Sequence, residues 1–446
     1  MVYFQLFYKF IIVRSLKCNV LSGSIEKHKK RQLRGGIAMK RTSRATFCLF
    51  ITLILVFFAS LTYGAGIKED VKADTVKLKP VVNELKALIN SDPLVRMYFT
   101  QMIDEVPRYY KHRPEIYLTS IDHMLHLISN AMDKAPVYDE TELVGFPINA
   151  ILNWTMGVPS GFSAFRHEKV NAIFKKILDE YGAYLDSPAS LSVLNDSPTG
   201  WKSKAAMEKL NMYQYQYDPN DAHWGFKSWN DFFTRKLKVG VRPIAEPDNN
   251  KVIVSAADSN VYSIQHNVKK VDWFWVKSQP YSLNDMLNND ASVVDQFVGG
   301  DVYQAFLSAT KYHRWHSPVS GTIKKAYIQP GTYYSATEAQ GMDPGSPNFS
   351  QGYIAHVATR AIIYIEADDP RIGLMVVMPI GMAEVSSCVM LDNIKPGYRI
   401  KKGEELGYFQ YGGSSYCLVF KPGAIKRFQV PEGMDVKMGQ AIAIAN

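Results

Sequence analysis

The sequence predicts an α+β protein in which a helical N-terminal domain is followed by a β-rich domain. From about residue 75 to residue 220, apolar residues recur at the spacing of an amphipathic helix. After about residue 250, the chain changes to short β-branched runs separated by Gly and Pro, which is typical of strands and turns. Helices and strands in separate halves of a chain indicate an α+β fold. With 47% hydrophobic and 12% aromatic residues, the chain has the composition of a folded protein.

Two segments carry the clearest helix signals. Asp92 and Pro93 predict a helix start, because Asp caps free backbone N–H groups and Pro suits the first helical position. The apolar residues that follow at helical spacing are Leu94, Met97, Tyr98 and Ile103. A second amphipathic run, 170–181, is expected to end near Gly182, because glycine often terminates a helix.

The second half of the chain contains short runs that predict strands. These runs are 252–254, 261–264, 322–323, 361–365, 374–378 and 416–420. Residues 396–403, followed by 406–409, have the strand, turn, strand pattern of a small β-sandwich or barrel unit.

The N-terminal region has the features of a targeting segment. Residues 39–64 combine a basic start, an apolar run and small residues, which predicts a secretory signal peptide. A retained membrane anchor is the alternative, since residues 45–67 carry no charge and about 20 apolar residues span a bilayer. We therefore expect an exported protein, periplasmic or secreted, with membrane association through 45–67 as the alternative. Residues 1–38 precede this signal, and we interpret them as an upstream extension with Met39 as the true start.

The positive net charge comes from this same region. The formal net charge is +9, but residues 1–64 hold 11 Lys and Arg residues and one acidic residue, Glu26. The remainder has 40 basic and 41 acidic residues, so it is almost neutral. Because nucleic-acid binding needs clustered positive charge, we expect no nucleic-acid partner.

Residues 412–415, Gly-Gly-Ser-Ser, place a hydroxyl group beside an uncovered backbone carbonyl. The Ser414 hydroxyl is a candidate nucleophile for the neighbouring Gly413 carbonyl, but a serine needs a base and a group that orients the base. His316 and Asp258 are candidates for these two roles. A simple turn between strands is the alternative, because Gly and Ser are common turn residues.

Five segments in a fixed order carry a family resemblance. They are 232–237 (Phe-Phe-Thr-Arg-Lys-Leu), 242–244 (Arg-Pro-Ile), 254–261 (Val-Ser-Ala-Ala-Asp-Ser-Asn-Val), 312–321 (Tyr-His-Arg-Trp-His-Ser-Pro-Val-Ser-Gly) and 412–415. This set resembles the phosphatidylserine decarboxylase family of self-cleaving, pyruvoyl-dependent enzymes, over about residues 225–446. Segments 135–138, 160–165 and 312–316 are similar to the branch that contains a soluble fungal tryptophan decarboxylase, which extends the resemblance to about 80–446.

The resemblance implies a mechanism and a role for each site residue. Ser414 attacks the Gly413 carbonyl, the amide shifts to an ester, and β-elimination cuts the chain. Residue 414 then becomes a pyruvoyl group, the covalent cofactor, and the small chain 414–446 stays as a partner of the large one. His316 corresponds to the cleavage base, which Asp258 orients. His313 corresponds to the residue that serves decarboxylation.

The resemblance leaves the substrate open between two amine-bearing carboxylates. Phosphatidylserine, converted to phosphatidylethanolamine and carbon dioxide, is the default, with membrane contact as a consequence. A free aromatic amino acid such as tryptophan is the alternative. The residues Asp258-Ser259 and Ala358-Thr359-Arg360 depart from the pattern of phosphatidylserine-specific members. The expected domains are a helical one at 67–224 and the decarboxylase domain at 225–446.

Three other interpretations of these residues stay open. His313 and His316 are spaced like a zinc-binding pair, although no Cys/His cluster accompanies them, so we expect no metal. A serine hydrolase would use the same residue types, but the Gly-x-Ser-x-Gly elbow is missing. A binding module without enzymatic activity would use the segment 396–409. Cys388 and Cys417 allow at most one disulfide within the expected mature chain.

Overall fold

The computed structural model describes residues 77–109, 118–139, 146–273, 281–308, 310–338, 350–384 and 387–446. These residues all belong to one compact unit. The predicted extension at 1–38 and the signal peptide or anchor at 39–64 lie outside them. Within the described part of the chain, no helix is both long and apolar enough to cross a membrane.

Helices dominate the part of the chain before residue 240. They are α1 (Pro80–Ser91), α2 (Pro93–Tyr109), α3 (Ile121–Ala131), α4 (Pro147–Met156), α5 (Pro159–Ala164), α6 (Glu168–Leu185), α7 (Lys204–Leu210) and α8 (Trp229–Phe233). Short 3-10 helices span Pro188–Val193 and Met212–Gln214. Helix α2 packs against α5, and α1 packs against α6.

The predicted helix start at Asp92 is confirmed, but only part of the predicted apolar face is buried: Ile103 is buried and Tyr98 partly so. The Asp92 carboxylate accepts hydrogen bonds from the backbone N–H groups of Leu94 and Val95, at 3.1 and 3.4 Å. Leu94 and Met97 are 45% and 42% exposed. The buried stripe of α2 is offset from them and consists of Val95, Phe99, Met102, Ile103 and Val106. Several apolar residues per turn allow more than one helical stripe, and tertiary packing selects between them.

The predicted end of the second helix is wrong by three residues. Helix α6 continues through Gly182 to Leu185. Gly182 is buried, and its carbonyl accepts a hydrogen bond from the Asn230 side chain of α8 at 3.5 Å. A glycine inside a helix costs about 1 kcal/mol relative to alanine. Close packing of α8 on this turn explains why the helix does not stop there.

Strands form most of the second half. They are β1 (Val252–Val254), β2 (Ser259–Gln265), β3 (Asp301–Leu307), β4 (Arg314–His316), β5 (Gly321–Gln329), β6 (Arg360–Ala367), β7 (Leu374–Gly381), β8 (Ser387–Met390), β9 (Arg399–Ile400), β10 (Glu405–Gln410), β11 (Ser414–Phe420), β12 (Ile425–Phe428), β13 (Asp435–Val436) and β14 (Ala441–Ala445). Helices α9 (Leu283–Met286) and α10 (Gln351–Val357), with a 3-10 turn at Val294–Gln296, interrupt the strands. The predicted strands and the α+β class are confirmed.

The strands form three sheets. The main sheet has the order β13-β2-β3-β11-β7-β6-β5-β9, and the smaller sheets have the orders β1-β14-β12 and β4-β10-β8. Strands β9 and β10 were expected to form one local unit. They instead pair in different sheets, β9 with β5 and β10 with β4 and β8. The turn between them therefore connects two sheets.

The helical and β-rich parts share one apolar core. Residues Tyr333, Tyr334, Ala383 and Tyr411 come from the β-rich half but are buried in the same cluster as the helix residues. Alternating residues of the main sheet belong to two further buried clusters, one on each face of the sheet. The helical part therefore packs directly on the segments that precede and flank β11.

Candidate active site

Ser414 is the first residue of β11, in the interior of the main sheet. It lies opposite Leu307 of β3 and Gly381 of β7. Its side chain is fully buried. The predicted nucleophile is therefore held on a paired strand, and bulk water does not reach it.

The turn before Ser414 contains two residues with positive φ. Tyr411 has φ 37° and Gly412 has φ 131°. The value at Gly412 is one that residues with a Cβ rarely adopt, so glycine is required there. The Tyr411 ring is buried and packs edge-on against Tyr181 and Phe233, with ring centroids 5.7 and 5.6 Å apart. Packing by the helical part thus holds the conformation of this turn.

Both the carbonyl and the N–H group of Gly413 form backbone hydrogen bonds. The Met382 N–H donates to the Gly413 carbonyl oxygen at 2.8 Å, and the Gly413 N–H donates to the Ala383 carbonyl at 3.1 Å. The carbonyl bound by Met382 is the one that the Ser414 hydroxyl would attack. A backbone N–H at this distance polarises the carbonyl and stabilises an oxyanion formed from it.

His313 is the histidine beside the predicted nucleophile. Its Nδ1 atom lies 3.3 Å from the Ser414 Oγ atom. The ring is fully buried and stacks on Phe233 of α8, with centroids 4.1 Å apart and an angle of 20° between the rings. With its proton on Nε2, the ring can accept the Ser414 proton at Nδ1.

The two ring nitrogens of His316 contact groups other than Ser414. Its Nδ1 atom lies 2.9 Å from the Gly403 carbonyl oxygen, and its Nε2 atom lies 2.9 Å from the Tyr312 hydroxyl. Because a carbonyl can only accept, Nδ1 carries the proton, and Nε2 accepts from Tyr312. Burial lowers the pKa of His316 below its usual value, so the neutral ring is favoured. Both ring nitrogens are occupied, and neither contacts Ser414.

Asp258 binds cations and a backbone amide. The Arg242 guanidinium donates to its two carboxylate oxygens at 2.9 and 2.6 Å, the Met438 N–H donates at 2.9 Å, and Lys437 lies 3.6 Å away. Burial opposes ionisation, but Arg242, Met438 and Lys437 together hold the pKa of Asp258 below its usual value. No hydrogen bond joins Asp258 to His316 in the described structure. Its charge acts on His316 only at a distance.

Ser415, the second serine of the motif, is held by another set of side chains. Its hydroxyl lies 2.9 Å from the Gln351 carbonyl oxygen atom Oε1, and it accepts from Gln304 Nε2 at 3.1 Å. Successive side chains on a strand point to opposite faces of the sheet. Ser414 alone of this pair therefore faces His313.

Several site residues have no clear signal in the sequence. Arg242 and Phe233 lie in the quoted motifs, but their partners do not follow from the motifs. The Met382 amide has no sequence signature, because every residue except proline has such a group. Among the described residues, no group of three or more His, Cys, Asp or Glu side chains could hold a metal ion. Cys388 and Cys417 are buried free thiols.

Comparison with known proteins covers both halves of the chain. The phosphatidylserine decarboxylase family model matches residues 229–444, and a second phosphatidylserine decarboxylase model matches residues 79–210. Decarboxylase iboD of Amanita muscaria is 40% identical over 320 residues, which cover 67% of this chain and 91% of that protein. An L-tryptophan decarboxylase of Psilocybe cubensis is 33% identical over 393 residues, covering 81% of this chain and 85% of that protein.

The similarity extends to bacterial enzymes. A phosphatidylserine decarboxylase proenzyme of Fusobacterium nucleatum is 32% identical over 263 residues, covering 58% of this chain and 79% of that protein. The buried serine after two glycines, the adjacent histidine and these matches agree with one another. The chain belongs to the phosphatidylserine decarboxylase family and is a pyruvoyl-dependent carboxy-lyase.

Proposed function

We propose that this protein decarboxylates a free amino acid with an aromatic or heteroaromatic side chain. The observation that carries the proposal is that the helices of residues 80–233, here called the helical cover, pack over the site. Phe233 of α8 stacks on His313, and Tyr181 of α6 packs on Tyr411, while Ser414 and His313 are fully buried. An enclosed site lined by aromatic rings suits a small molecule, whereas a diacyl lipid needs an apolar opening at a membrane.

The extent of the similarities supports the same substrate class. The two L-tryptophan decarboxylases match 81% and 87% of this chain, which includes the helical part. The phosphatidylserine decarboxylases of Schizosaccharomyces pombe and Fusobacterium nucleatum match 57% and 58%. The helical cover is thus included in the match to relatives that are named for a free amino acid, and residues 79–210, which include most of it, also match a phosphatidylserine decarboxylase model.

We further propose that the chain cuts itself between Gly413 and Ser414, with His313 as the base. His313 Nδ1 takes the proton of the Ser414 hydroxyl as Oγ bonds to the Gly413 carbonyl carbon, and the Met382 N–H stabilises the oxyanion. The C–N bond then breaks to leave an ester. Elimination of the Gly413 carboxylate opens the chain, and hydrolysis of the resulting enamine releases ammonia and leaves a keto group at residue 414.

Residue 414 is a suitable position for this pyruvoyl group. It is fully buried, it begins a strand paired on both sides, and it lies beside a histidine. A pyruvoyl carbonyl reacts with a substrate amine and accepts electrons as carbon dioxide leaves. His313, which lies beside residue 414 in the uncut chain, can hold or return a proton during turnover.

The family resemblance implies that His316 is the cleavage base and that Asp258 orients it, whereas the proposal above gives the role of base to His313. Their described contacts support a positioning role: His316 links Tyr312 to the Gly403 turn, and Asp258 links Arg242 to the backbone at Met438. His316 lies three residues after His313 in the chain.

Product analysis tests the proposed substrate class. Purified, cut protein is incubated with tryptophan, tyrosine and phenylalanine, and separately with vesicles that contain phosphatidylserine. The expected products are carbon dioxide and the matching arylalkylamine, detected by mass spectrometry. The Ser414→Ala variant is the control and should form neither. Phosphatidylethanolamine in the absence of any arylalkylamine would overturn the proposed substrate class.

A further inference from the structure

Glu384, in the segment after β7, is a buried carboxyl group that contacts the helical cover and that self-cleavage does not use. The residue is fully buried, with φ 59°. Its Oε1 atom accepts hydrogen bonds from the backbone N–H groups of Ile148 and Asn149, at the start of α4, the latter at 2.9 Å. Its Oε2 atom is buried without a hydrogen-bond partner in the described structure. One half of the carboxyl is therefore fixed, and the other half is unpaired.

The position of Glu384 connects it to the cleavage site. It follows directly on Met382 and Ala383, the two residues whose backbones bind Gly413. Phe146, which precedes the helix that holds its carboxyl, lies 3.8 Å from the place where a Cβ of Gly413 would stand. The carboxyl is thus anchored at the junction between the helical cover and the reacting residues.

Aromatic rings and further unpaired polar atoms surround this carboxyl. The hydroxyl of Tyr334 and the side-chain oxygens of Asn149 and Asn153 on α4 are also buried without partners in the described structure. Burial, and then the charge of Glu384, raises the pKa of Tyr334 well above its usual value, and Tyr334 is buried in the same apolar cluster as Ala383, the residue before Glu384. The Tyr411 ring packs against Phe146, which precedes α4, and against Tyr181, with ring centroids 6.4 and 5.7 Å apart.

This set of groups has the composition of a small-molecule site. Nearly all buried polar atoms in folded proteins have a partner, so an unpaired carboxyl oxygen implies one that is absent here. Sites for small ligands combine aromatic walls with a few polar groups that fix orientation. Burial raises the pKa of Glu384 to about 8, despite the two N–H groups that favour ionisation, and a hydrogen-bond donor bound at Oε2 would lower this pKa and favour the charged acceptor. A core carboxyl is costly to maintain, whereas an apolar residue of the same size would pack without that cost.

We propose that Glu384 selects the substrate, with its Oε2 atom accepting a hydrogen bond from a polar group of the aromatic side chain, an indole N–H or a phenol O–H. This inference rests on the proposed function, because it needs a free amino acid in the enclosed site. The Tyr181, Tyr334 and Tyr411 rings form the aromatic surroundings of the bound ring. A phenyl ring, which has no polar atom, would leave Oε2 unpaired.

The Glu384→Gln variant tests the proposal through its kcat/KM values for tryptophan, tyrosine and phenylalanine. With Oε1 kept on the α4 backbone, the remaining amide nitrogen only donates hydrogen bonds. It cannot accept from an indole N–H, but it can donate to a phenol oxygen. In the cut variant, the kcat/KM ratio of tryptophan to phenylalanine should fall about 10- to 100-fold, the range of one buried hydrogen bond. The ratio of tyrosine to phenylalanine should change less than about threefold.

Matched controls separate this role from a structural one. The Glu208→Gln variant makes the same chemical change on α7, where the side chain is 70% exposed, and should leave both ratios unchanged. The extent of self-cleavage, measured by intact mass, normalises each rate to the cut protein. Equal losses for all three substrates in Glu384→Gln would overturn the proposal and assign Glu384 a structural role. A wild-type protein that turns over none of the three would overturn the proposed function itself, and the inference with it.

A second measurement needs no variant. The wild-type protein is given tryptophan or its benzothiophene analogue, in which sulfur replaces the indole N–H at nearly the same shape. The analogue should be about 10- to 100-fold poorer in kcat/KM. Equal kcat/KM values would overturn the proposal, because they would mean that no group accepts a hydrogen bond from the indole N–H.

Discussion

Removal of His313 should block self-cleavage, whereas removal of His316 should not. In the uncut chain the His313 Nδ1 atom lies 3.3 Å from Ser414 Oγ, while both nitrogens of His316 bind other groups. A positioned base contributes about 10²- to 10⁴-fold to a reaction rate. We therefore expect the cleavage half-time of His313→Ala to lengthen at least about 100-fold, and that of His316→Ala to lengthen less than about tenfold.

The assay is a time course of cell-free synthesis, in which the uncut chain and the two products are separated on a gel. The His266→Ala variant is the matched control, because its side chain is 68% exposed. Circular dichroism of each uncut variant checks that loss of cleavage is not loss of folding. A His316→Ala chain that stays uncut while His313→Ala cuts normally would refute the geometric assignment. The family resemblance would then give the correct roles.

Four further substitutions have expected effects on stability. Gly412→Ala should lower the free energy of unfolding by about 1–2 kcal/mol, because alanine is strained at φ 131°. Gly413→Ala should leave thermal melting unchanged, because its new Cβ would meet atoms no closer than 3.6 Å. Asp258→Asn should cost about 3 kcal/mol in denaturant unfolding, because it leaves the buried Arg242 charge without its partner; an unchanged midpoint would contradict this. Glu384 has a folded-state pKa of about 8 against an ordinary value of 4.5, so its contribution to stability falls as pH rises between these values. The difference in unfolding free energy between Glu384→Gln and wild type should shift with pH in favour of the variant over that window, and a pH-independent difference would contradict it.

The sequence predicts those parts of the site whose chemistry depends on residue type. Ser414, Gly413 and the two histidines were found because a hydroxyl beside two glycines and a His-x-x-His segment are unusual and follow one another in family order. The helical and β-rich halves were found because their hydrophobic periods differ. The strand cores at 361–365 and 374–378 are almost wholly apolar, so they could be placed without knowledge of their partners.

Other features depend on contacts that the sequence does not record. His313 and Ser414 are 101 residues apart, and which of two nearby histidines meets the serine depends on the backbone path between β4 and β11. The carbonyl of Gly413 is bound by a backbone amide, which no residue type identifies. Glu384 lies in an ordinary apolar segment, and only its burial and its unpaired oxygen draw attention to it. The separation of β9 and β10 into two sheets is likewise a consequence of long-range pairing.

Mass spectrometry of the purified protein is the most direct test of the central claim, that Ser414 becomes the reactive group through a cut after Gly413. We predict a large chain that ends at Gly413 with a free carboxylate, and a small chain of residues 414–446. The small chain should be lighter than its plain hydrolysis product by one ammonia, and it should gain mass on treatment with a carbonyl reagent such as hydroxylamine. A single intact chain with full decarboxylase activity, or a small chain that begins with an unmodified serine, would contradict the account.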